Sequence, residues 1–495
     1  MRKFEQWQDT VARLYPEYSN MVEGKRRMAT MEVTFQVTNA CSLQCTYCYQ
    51  INKGHDVMPF EVAKTFIDNL FDGKYKGYIS EEEKPFIVLD FIGGEPLLEP
   101  VLIEKICDYF VDTAIERESG WAEHFMISIC SNGVAYFDPD VQHLLNKYRS
   151  KLSLSITIDG NKELHDSCRV FADGRGSYDL AVAAAQDWMN HGGYMGSKIT
   201  IAPGNINFMN EAITHMIDLG YEEINANVVY EKGWNIGHAK LFYKKLKEIS
   251  DYFIDNNLCE THYLSLFIDN LGKPKSSKDN ETWCGGVGNA MLSIHPNGDL
   301  YPCIRYMESS LGTDQEPLKI GNVWDGIGKE AKYAQLIKCM DCVTRKTESE
   351  PECFWCPIAN GCAECSAYNY QMNGTPDSRC TFICDMHKAR VLANCYYWNK
   401  WYRKIGSPER FKLWIPDNWA LEIIDEDELK MLKGLADQSE IVNPPYPRPQ
   451  SLIEWKKELG DLPNDYNEDE LREKFRNYLK NSEEKEFIDY KQLTN

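Results

Sequence analysis

Apolar and polar residues alternate with period two over Glu32–Thr38 (EVTFQVT), the pattern of a strand with one buried face. The spacing changes after Met58. Val62, Phe66 and Leu70 fall at i, i+4 and i+8, Pro59 suits a first helical turn, and Gly73 can stop the helix. Strand-like runs recur at Pro85–Phe91 (PFIVLDF), Phe125–Cys130 (FMISIC), Leu152–Ile158 (LSLSITI), Lys198–Ala202 (KITIA) and Glu223–Tyr230 (EINANVVY). Helical stretches such as Ser177–Asn190 and Phe208–Gly220 lie between them. Six strands separated by helices predict an α/β fold with a parallel sheet, in which ligands gather outside the carboxyl ends of the strands.

Beyond this pattern the chain changes character. Residues 241–280 read as a charged helical linker. Residues 281–395 are loop-rich and carry most of the cysteines, with Asn297-Gly298 marking a hairpin between two apolar segments. Residues 396–495 turn helical and charged, with Trp398, Trp401, Trp414, Trp419 and Trp455 scattered through them and a rigid turn or linker at Asn443–Pro449 (NPPYPRP). Residues 1–30 form a short extension before the first strand.

Composition narrows the partners. A formal charge of −21 counts against nucleic acid or an anionic membrane surface. The opening MRKFEQWQDTVARLYPEYS has no apolar h-region, and no run of about 18 apolar residues exists to span a bilayer. A cytoplasmic protein is expected, and there the 18 cysteines are poorly explained by disulfides. Clustered cysteines then point to metal, while the isolated Cys107, Cys130, Cys168, Cys259 and Cys395 read as small buried apolar residues.

The clearest chemistry is Cys41, Cys45 and Cys48 in CSLQCTYC. Three thiolates on one loop can hold three irons of a 4Fe–4S cubane and leave the fourth iron open to an amino acid's amine and carboxylate. The competing zinc reading needs four ligands, and nothing nearby supplies the fourth. Downstream strand ends carry Gly93-Gly94-Glu95-Pro96, Ser131-Asn132-Gly133, Thr157-Ile158-Asp159-Gly160 and His165-Asp166-Ser167-Cys168-Arg169. Glycine turns allow close backbone approach.

These motifs resemble the radical S-adenosylmethionine (SAM) family. The cysteine motif, with Tyr47 before its last cysteine, is similar to that family's signature, and the resemblance implies a partial (β/α)6 TIM barrel over residues 31–240. It implies that Gly93, Gly94, Glu95 and Pro96 receive the methionine amino group of SAM, that Thr157 contacts the ribose, and that Arg169 is a candidate partner of the SAM carboxylate, a geometry guanidinium suits. It further implies that the cluster, reduced by a flavodoxin- or ferredoxin-type donor, cleaves SAM to a 5′-deoxyadenosyl radical.

The second half resembles the SPASM extension of that family, which carries two auxiliary 4Fe–4S clusters. The matching text is Cys284-x13-Gly298-x4-Cys303, Cys353-x2-Cys356-x5-Cys362-x2-Cys365 and Cys380-x3-Cys384. By that resemblance Cys284, Cys303 and Cys365 belong to the first auxiliary cluster, and Cys353, Cys356, Cys362 and Cys384 to the second. Cys380 and the extra pair Cys339 and Cys342 remain possible ligands, and the pair could instead be free; zinc stays open as an alternative in this half. Two residues, where the family has three, separate Cys362 from Cys365.

SPASM enzymes act mostly on peptides, so a precursor peptide is the expected partner. The motifs look most like maturases of cysteine-repeat precursors, which implies crosslinking, with a thioether the leading product. Carbon–carbon crosslinking, epimerisation and anaerobic sulfatase maturation to formylglycine are the alternatives, as is a non-catalytic iron–sulfur or zinc module. Sulfatase maturases typically place an aspartate after the YPC of the first SPASM hairpin as proton acceptor; here Tyr301-Pro302-Cys303 is followed by Ile304 and Arg305. Arg305 and His387 read as supports of nearby cluster ligands. The region after Cys395 is a candidate for leader recognition or a helical cap.

Overall fold

In the computed structural model, which describes residues 30–438 apart from 194, 276–283, 289, 312–314 and short breaks between 331 and 377, the period-two pattern becomes β1 (Thr30–Thr38). It is followed by α1 (Phe60–Phe71), β2 (Phe86–Gly93), α2 (Pro100–Glu116), β3 (Phe125–Ser131), α3 (Pro139–Lys147) and β4 (Leu152–Ile156). The expected helix after Met58 forms with Val62, Phe66 and Leu70 buried, and Gly73 follows it with φ 73°. The four strands run parallel and neighbour one another in sequence order.

Alternation sorts the strand side chains into two environments. Phe35, Leu89, Phe91, Ile127 and Leu154 are sealed under the helices, where Phe35 stacks on Phe91 at 5.5 Å and meets the edge of Phe66 at 5.8 Å. The other face is polar. Ser293, Thr34, Asp90, Ser128 and Ser153 lie in register across five strands. Burial raises the Asp90 carboxyl, opposed by hydrogen bonds from Ser128 and Thr34. Glu32, one row below, is raised to about 7 by burial and then by Asp90.

The expected single sheet of six strands does not close as one ladder. After α4 (Lys162–Cys168) and α5 (Tyr178–Asn190), the fifth segment splits into β5 (Met195–Gly196), which pairs with β4, and β6 (Ile199–Ile201), which pairs with β8 (Ala226–Val228). Ser197 explains the split. Its hydroxyl donates to Glu223 O at 2.7 Å and accepts the Asn225 N–H at 2.9 Å, so a side chain does the work of the ladder at this point. Helix α6 (Met209–Asp218) and β7 (Glu223–Ile224) precede β8.

The stretch expected as a helical linker does more than link. Helix α7 (Ile236–Asp255) starts in a capping box between Asn235 and His238, and β9 (Tyr263–Leu264) then pairs parallel with β7. The sheet also crosses the boundary expected at residue 281. The hairpin of β10 (Met291–Ile294) and β11 (Asp299–Tyr301), turned at Gly298 with φ 87°, lays β10 parallel to β1, and β12 (Gly321–Asn322) and β13 (Gly326–Ile327) extend it.

The last described elements are α8 (Pro351–Phe354), α9 (Ser366–Asn373), α10 (Cys384–Lys404), α11 (Asp417–Ala420) and α12 (Glu426–Leu435). Helix α10 is pinned to the segment that follows β9. Asn394 donates to Leu266 O and accepts from Ile268 N, and Arg390 donates to the carbonyls of Ser265 and Leu266. Tyr396 and Lys400 hold Asp251 of α7, while Tyr243 and Lys247 of α7 hold Glu428 of α12. Trp398, Trp401, Trp414 and Trp419 pack against the core from this side. Trp455, the proline-rich stretch 443–449, residues 1–29, Cys339 and Cys342 lie outside the described residues. Among the described residues no helix is long and apolar enough to cross a membrane.

Candidate functional site

The sequence motifs converge at the carboxyl ends of β1 to β4. The loop after β1 that carries Cys41, Cys45 and Cys48 is stitched on two sides. On one, Gly94 N donates to Thr38 O at 2.9 Å and Glu95 N to Ala40 O at 2.8 Å. On the other, Gln44 N donates to Val170 O at 2.7 Å and Thr46 N to Cys168 O at 3.0 Å. Gly93 and Gly94 are explained by this approach to backbone: an added Cβ would sit 2.3 Å from Thr38 O or 2.1 Å from Ala40 O.

Glu95 is buried and both its oxygens are engaged. Oε1 accepts from Leu97 N at 3.0 Å and Ser131 Oγ at 2.7 Å, and Oε2 accepts from Asn132 N at 2.8 Å. Burial raises its carboxyl, opposed by those bonds. Through them Glu95 positions the Ser131-Asn132-Gly133 turn, whose Asn132 Nδ2 reaches Ser42 Oγ at 3.0 Å and Cys41 Sγ at 3.9 Å. Pro96 opens the short turn Pro96–Leu98 beneath this arrangement. Thr157 N donates to Ser131 O, and Thr157 Oγ1 stands 3.9 Å from Cys130 Sγ.

Arg169 is oriented by a residue the sequence reading did not single out. Its Nε donates to Asp159 Oδ2 at 2.8 Å, which leaves Nη1 3.9 Å from Cys45 Sγ. Tyr47 donates to the same Asp159 oxygen and lies 5.4 Å beneath the guanidinium. Asp159 Oδ1 is buried without a partner. Burial raises the Cys41 and Cys45 thiols; Lys53 and Arg169 respectively oppose it, and the three thiols are electrostatic neighbours. Asp159 is inside the TIDG motif, so its place at a strand end was the available signal.

The later cysteines form two groups. Burial raises Cys303, and Cys284 and Cys365 are its neighbours. Burial pushes Cys356 up to about 12, with Cys362, Cys353 and Cys384 as neighbours, and Cys384 up to about 11. Cys380 neighbours Cys365, and its sulfur receives Asn373 Nδ2 at 3.5 Å. Of the isolated cysteines, Cys107 and Cys395 are fully buried; Cys130, Cys168 and Cys259 are only partly so, and Cys130 lies beside Thr157 in the site.

Arg305 bridges the two halves. It lies 5.4 Å over the ring of Tyr49, the residue after Cys48, and its Nη2 donates to Glu231 Oε1 at 2.8 Å; Cys365 is a neighbouring charge. Glu231 follows β8, at a strand's carboxyl end. Asn52 ties the same loops together, with N donating to Ser309 O at 3.3 Å and Nδ2 to Glu308 O at 2.9 Å. His387 Nε2 faces Ile358 O at 2.6 Å inside the Cys356–Cys362 loop.

Relatives of this arrangement are known. TigE of Paramaledivibacter caminithermalis, a radical SAM cyclopropyl synthase, is 22% identical over 302 residues, covering 57% of this chain and 59% of TigE. The chain thus spans under two thirds of that relative. The serine-type anaerobic sulfatase-maturating enzyme of Bacteroides thetaiotaomicron is 21% identical over 382 residues, 70% of this chain and 84% of that protein. The chain is a homologue of radical SAM maturases. A solved structure of histidine-tagged anSMEcpe with bound AdoMet shares the fold with TM-score 0.55 at 17% identity, over 80% of this chain and 98% of that one. No family profile matches the chain.

The thiol groups suit the cofactors of radical SAM chemistry. Among the described residues no three His, Cys, Asp or Glu side chains converge on one point as a single metal ion requires. The thiols are electrostatic neighbours of one another, and thiolates are the ligands that hold iron–sulfur clusters.

Proposed function

We propose that this chain is a peptide maturase that binds SAM and three 4Fe–4S clusters and installs crosslinks, with a cysteine thioether the leading product, in a ribosomally made precursor peptide. The observation that carries this reading is the spatial sorting of the later cysteines into two groups, one of which meets the Cys41–Cys48 loop through Arg305 and Tyr49. When bound, SAM and its cluster supply a 5′-deoxyadenosyl radical. The chain's own residues provide the frame. Asp159 fixes Arg169 toward the cluster loop, where Nη1 and Nη2 are available to a carboxylate. The glycine pair and Glu95 hold the loops around the amino-acid end of SAM, and the buried Thr157 hydroxyl suits a sugar hydroxyl. The substrate peptide belongs between this site and Cys284, Cys303 and Cys365. A flavodoxin- or ferredoxin-type donor supplies the electron.

Anaerobic co-expression with a short cysteine-repeat open reading frame from beside the gene tests the function. A hydrogen-pair mass loss mapped to a cysteine and a neighbouring carbon is expected; a peptide returned unmodified while SAM is cleaved would reject crosslinking of that precursor class.

One observation favours a second reading. Ile304 occupies the place where sulfatase maturases carry an aspartate, yet Glu231 brings a carboxylate to the same region from the end of another strand. Formylglycine formation is therefore the alternative, and an aldehyde on a Cys-x-Pro-x-Arg peptide after incubation with the reconstituted protein would establish it.

A further inference from the structure

The face of the sheet turned away from the helices carries more polar groups than it pairs. Asp90 stands within it, held by hydroxyls from both neighbouring strands, Thr34 of β1 and Ser128 of β3. Glu32, two residues before Thr34 on β1, brings a second carboxyl, raised to about 7 by burial and then by Asp90. Among the described residues the cation acting on Asp90 is Lys198, which is exposed and forms no ion pair with it. Two further oxygens on this face are fully buried and have no partner: Ser293 Oγ of β10, in register with Thr34, and Gln36 Oε1 of β1. The Gln36 amide is fixed in this sense. Its Nε2 donates to Asn39 Oδ1 at 2.5 Å, and Asn39 Nδ2 in turn donates to Asp56 at 3.4 Å.

A buried oxygen without a donor costs free energy, and two neighbouring carboxyls disfavour each other's charge. Asp90, Glu32 and Gln36 offer acceptors, and the Ser293 hydroxyl adds another. A positively charged group with several N–H donors meets all of these demands at once. The face is open to such a group, since Glu32, Asp90 and Ser128 are only half-buried. It is also close to the radical-site loop. Asp90 lies three residues before the end of β2, about 10 Å along the strand from the turn that meets that loop. Tyr49 joins the two levels, with Cys48, Cys130, Arg305 and Asp90 among its electrostatic neighbours.

We propose that this face, centred on Asp90, receives a basic side chain, lysine or arginine, of the peptide substrate and so sets the register of the peptide against the radical site. This rests on the peptide-maturase reading above.

The test uses the anaerobically reconstituted full chain with SAM and no reductant, so that binding is read without turnover. N-acetyl-lysinamide and N-acetyl-argininamide are titrated by calorimetry beside N-acetyl-norleucinamide, which has the lysine stem without the charge. At least one of the cations is expected to bind about tenfold or more tightly than the uncharged compound. Asp90→Asn is expected to abolish that preference while SAM binding is kept. Equal binding of all three compounds by the wild-type chain, or binding of none, overturns the proposal without any variant and leaves a face filled by water. A preference that survives Asp90→Asn, or that Glu231→Gln alone removes, overturns it by placing the cation elsewhere. A chain that prefers the cations through Asp90 yet returns its precursor unmodified supports the proposal and removes the crosslinking reading.

Discussion

Glu95 gathers three donors from two chain segments in a place closed to water, so its carboxylate is a joint of the site. Glu95→Ala would leave those donors buried and unpartnered, at about 1–3 kcal/mol each. Denaturant unfolding should show a loss of about 3 kcal/mol or more. Gly94→Ala would push a Cβ to 2.1 Å from Ala40 O, a backbone atom that cannot turn away. It should cost about 3 kcal/mol or more, at the top of the range for overpacking, and a variant of unchanged thermal stability would contradict the close approach. His165 accepts Asp159 N–H at Nδ1 (3.3 Å) and faces Ser177 Oγ at Nε2 (3.0 Å), while the Ser177 proton goes to Arg169 O (2.9 Å); the ring is neutral with its proton on Nε2. Burial holds it at about 4, and burial does the same to His387. The unfolded chain accepts protons near pH 6.5 that the folded chain refuses until about pH 4. Stability present above pH 6.5 is therefore lost as pH falls, by up to about 3 kcal/mol for each ring. Because the raised carboxyls of Glu32 and Glu95 act in the opposite direction, the test is the difference between wild type and His165→Gln or His387→Gln: a difference in denaturation midpoint that stays level from about pH 7 to pH 5 would speak against that buried ring. At this scale the thiols and the glycine pair were legible because their spacing is local. The pairing of Arg305 with Glu231 was not, because 74 residues separate two side chains that only the fold brings together.

Helix α1 was readable to within its caps because periodicity and punctuation agree there. The split of the fifth strand was hidden in one serine whose hydroxyl stands in for ladder bonds, a choice that strand propensity does not record. The two-residue β9 was likewise too short to leave a pattern. Helix α10 is buried on several sides, so its polar residues act as fasteners. Asn394 uses its amide fully, donating to Leu266 O and Arg390 O and accepting from Ile268 N and Trp398 Nε1. Asn394→Ala should lower stability by about 2 kcal/mol or more through buried groups left unpaired. Because α10 begins at Cys384, the same variant should also weaken iron retention at the second auxiliary group, read as faster iron loss to a chelator.

For the whole molecule, the decisive expectation is additive metal content. Reconstituted wild type should hold about twelve irons per chain, and Cys41→Ala/Cys45→Ala/Cys48→Ala about eight, with 5′-deoxyadenosine formation abolished. Cleavage of SAM by that variant would remove the central assignment. The broad α/β organisation and the cysteine-rich second half were visible as changes of pattern along the chain. The union of the two halves was not, because parallel pairing between β1 and β10 depends on tertiary placement.

That union sets an order of events during synthesis. Strand β1 has β2 for a neighbour soon after it leaves the ribosome, but its other edge waits for residue 291. At typical translation speeds, the roughly 200 residues between the end of β2 and β10 take about 10–40 s to appear. For that interval the first strand, which leads into the Cys41–Cys48 loop, presents an open edge able to pair with another nascent chain. A product terminated before β10 should therefore be an aggregating species rather than a smaller working enzyme.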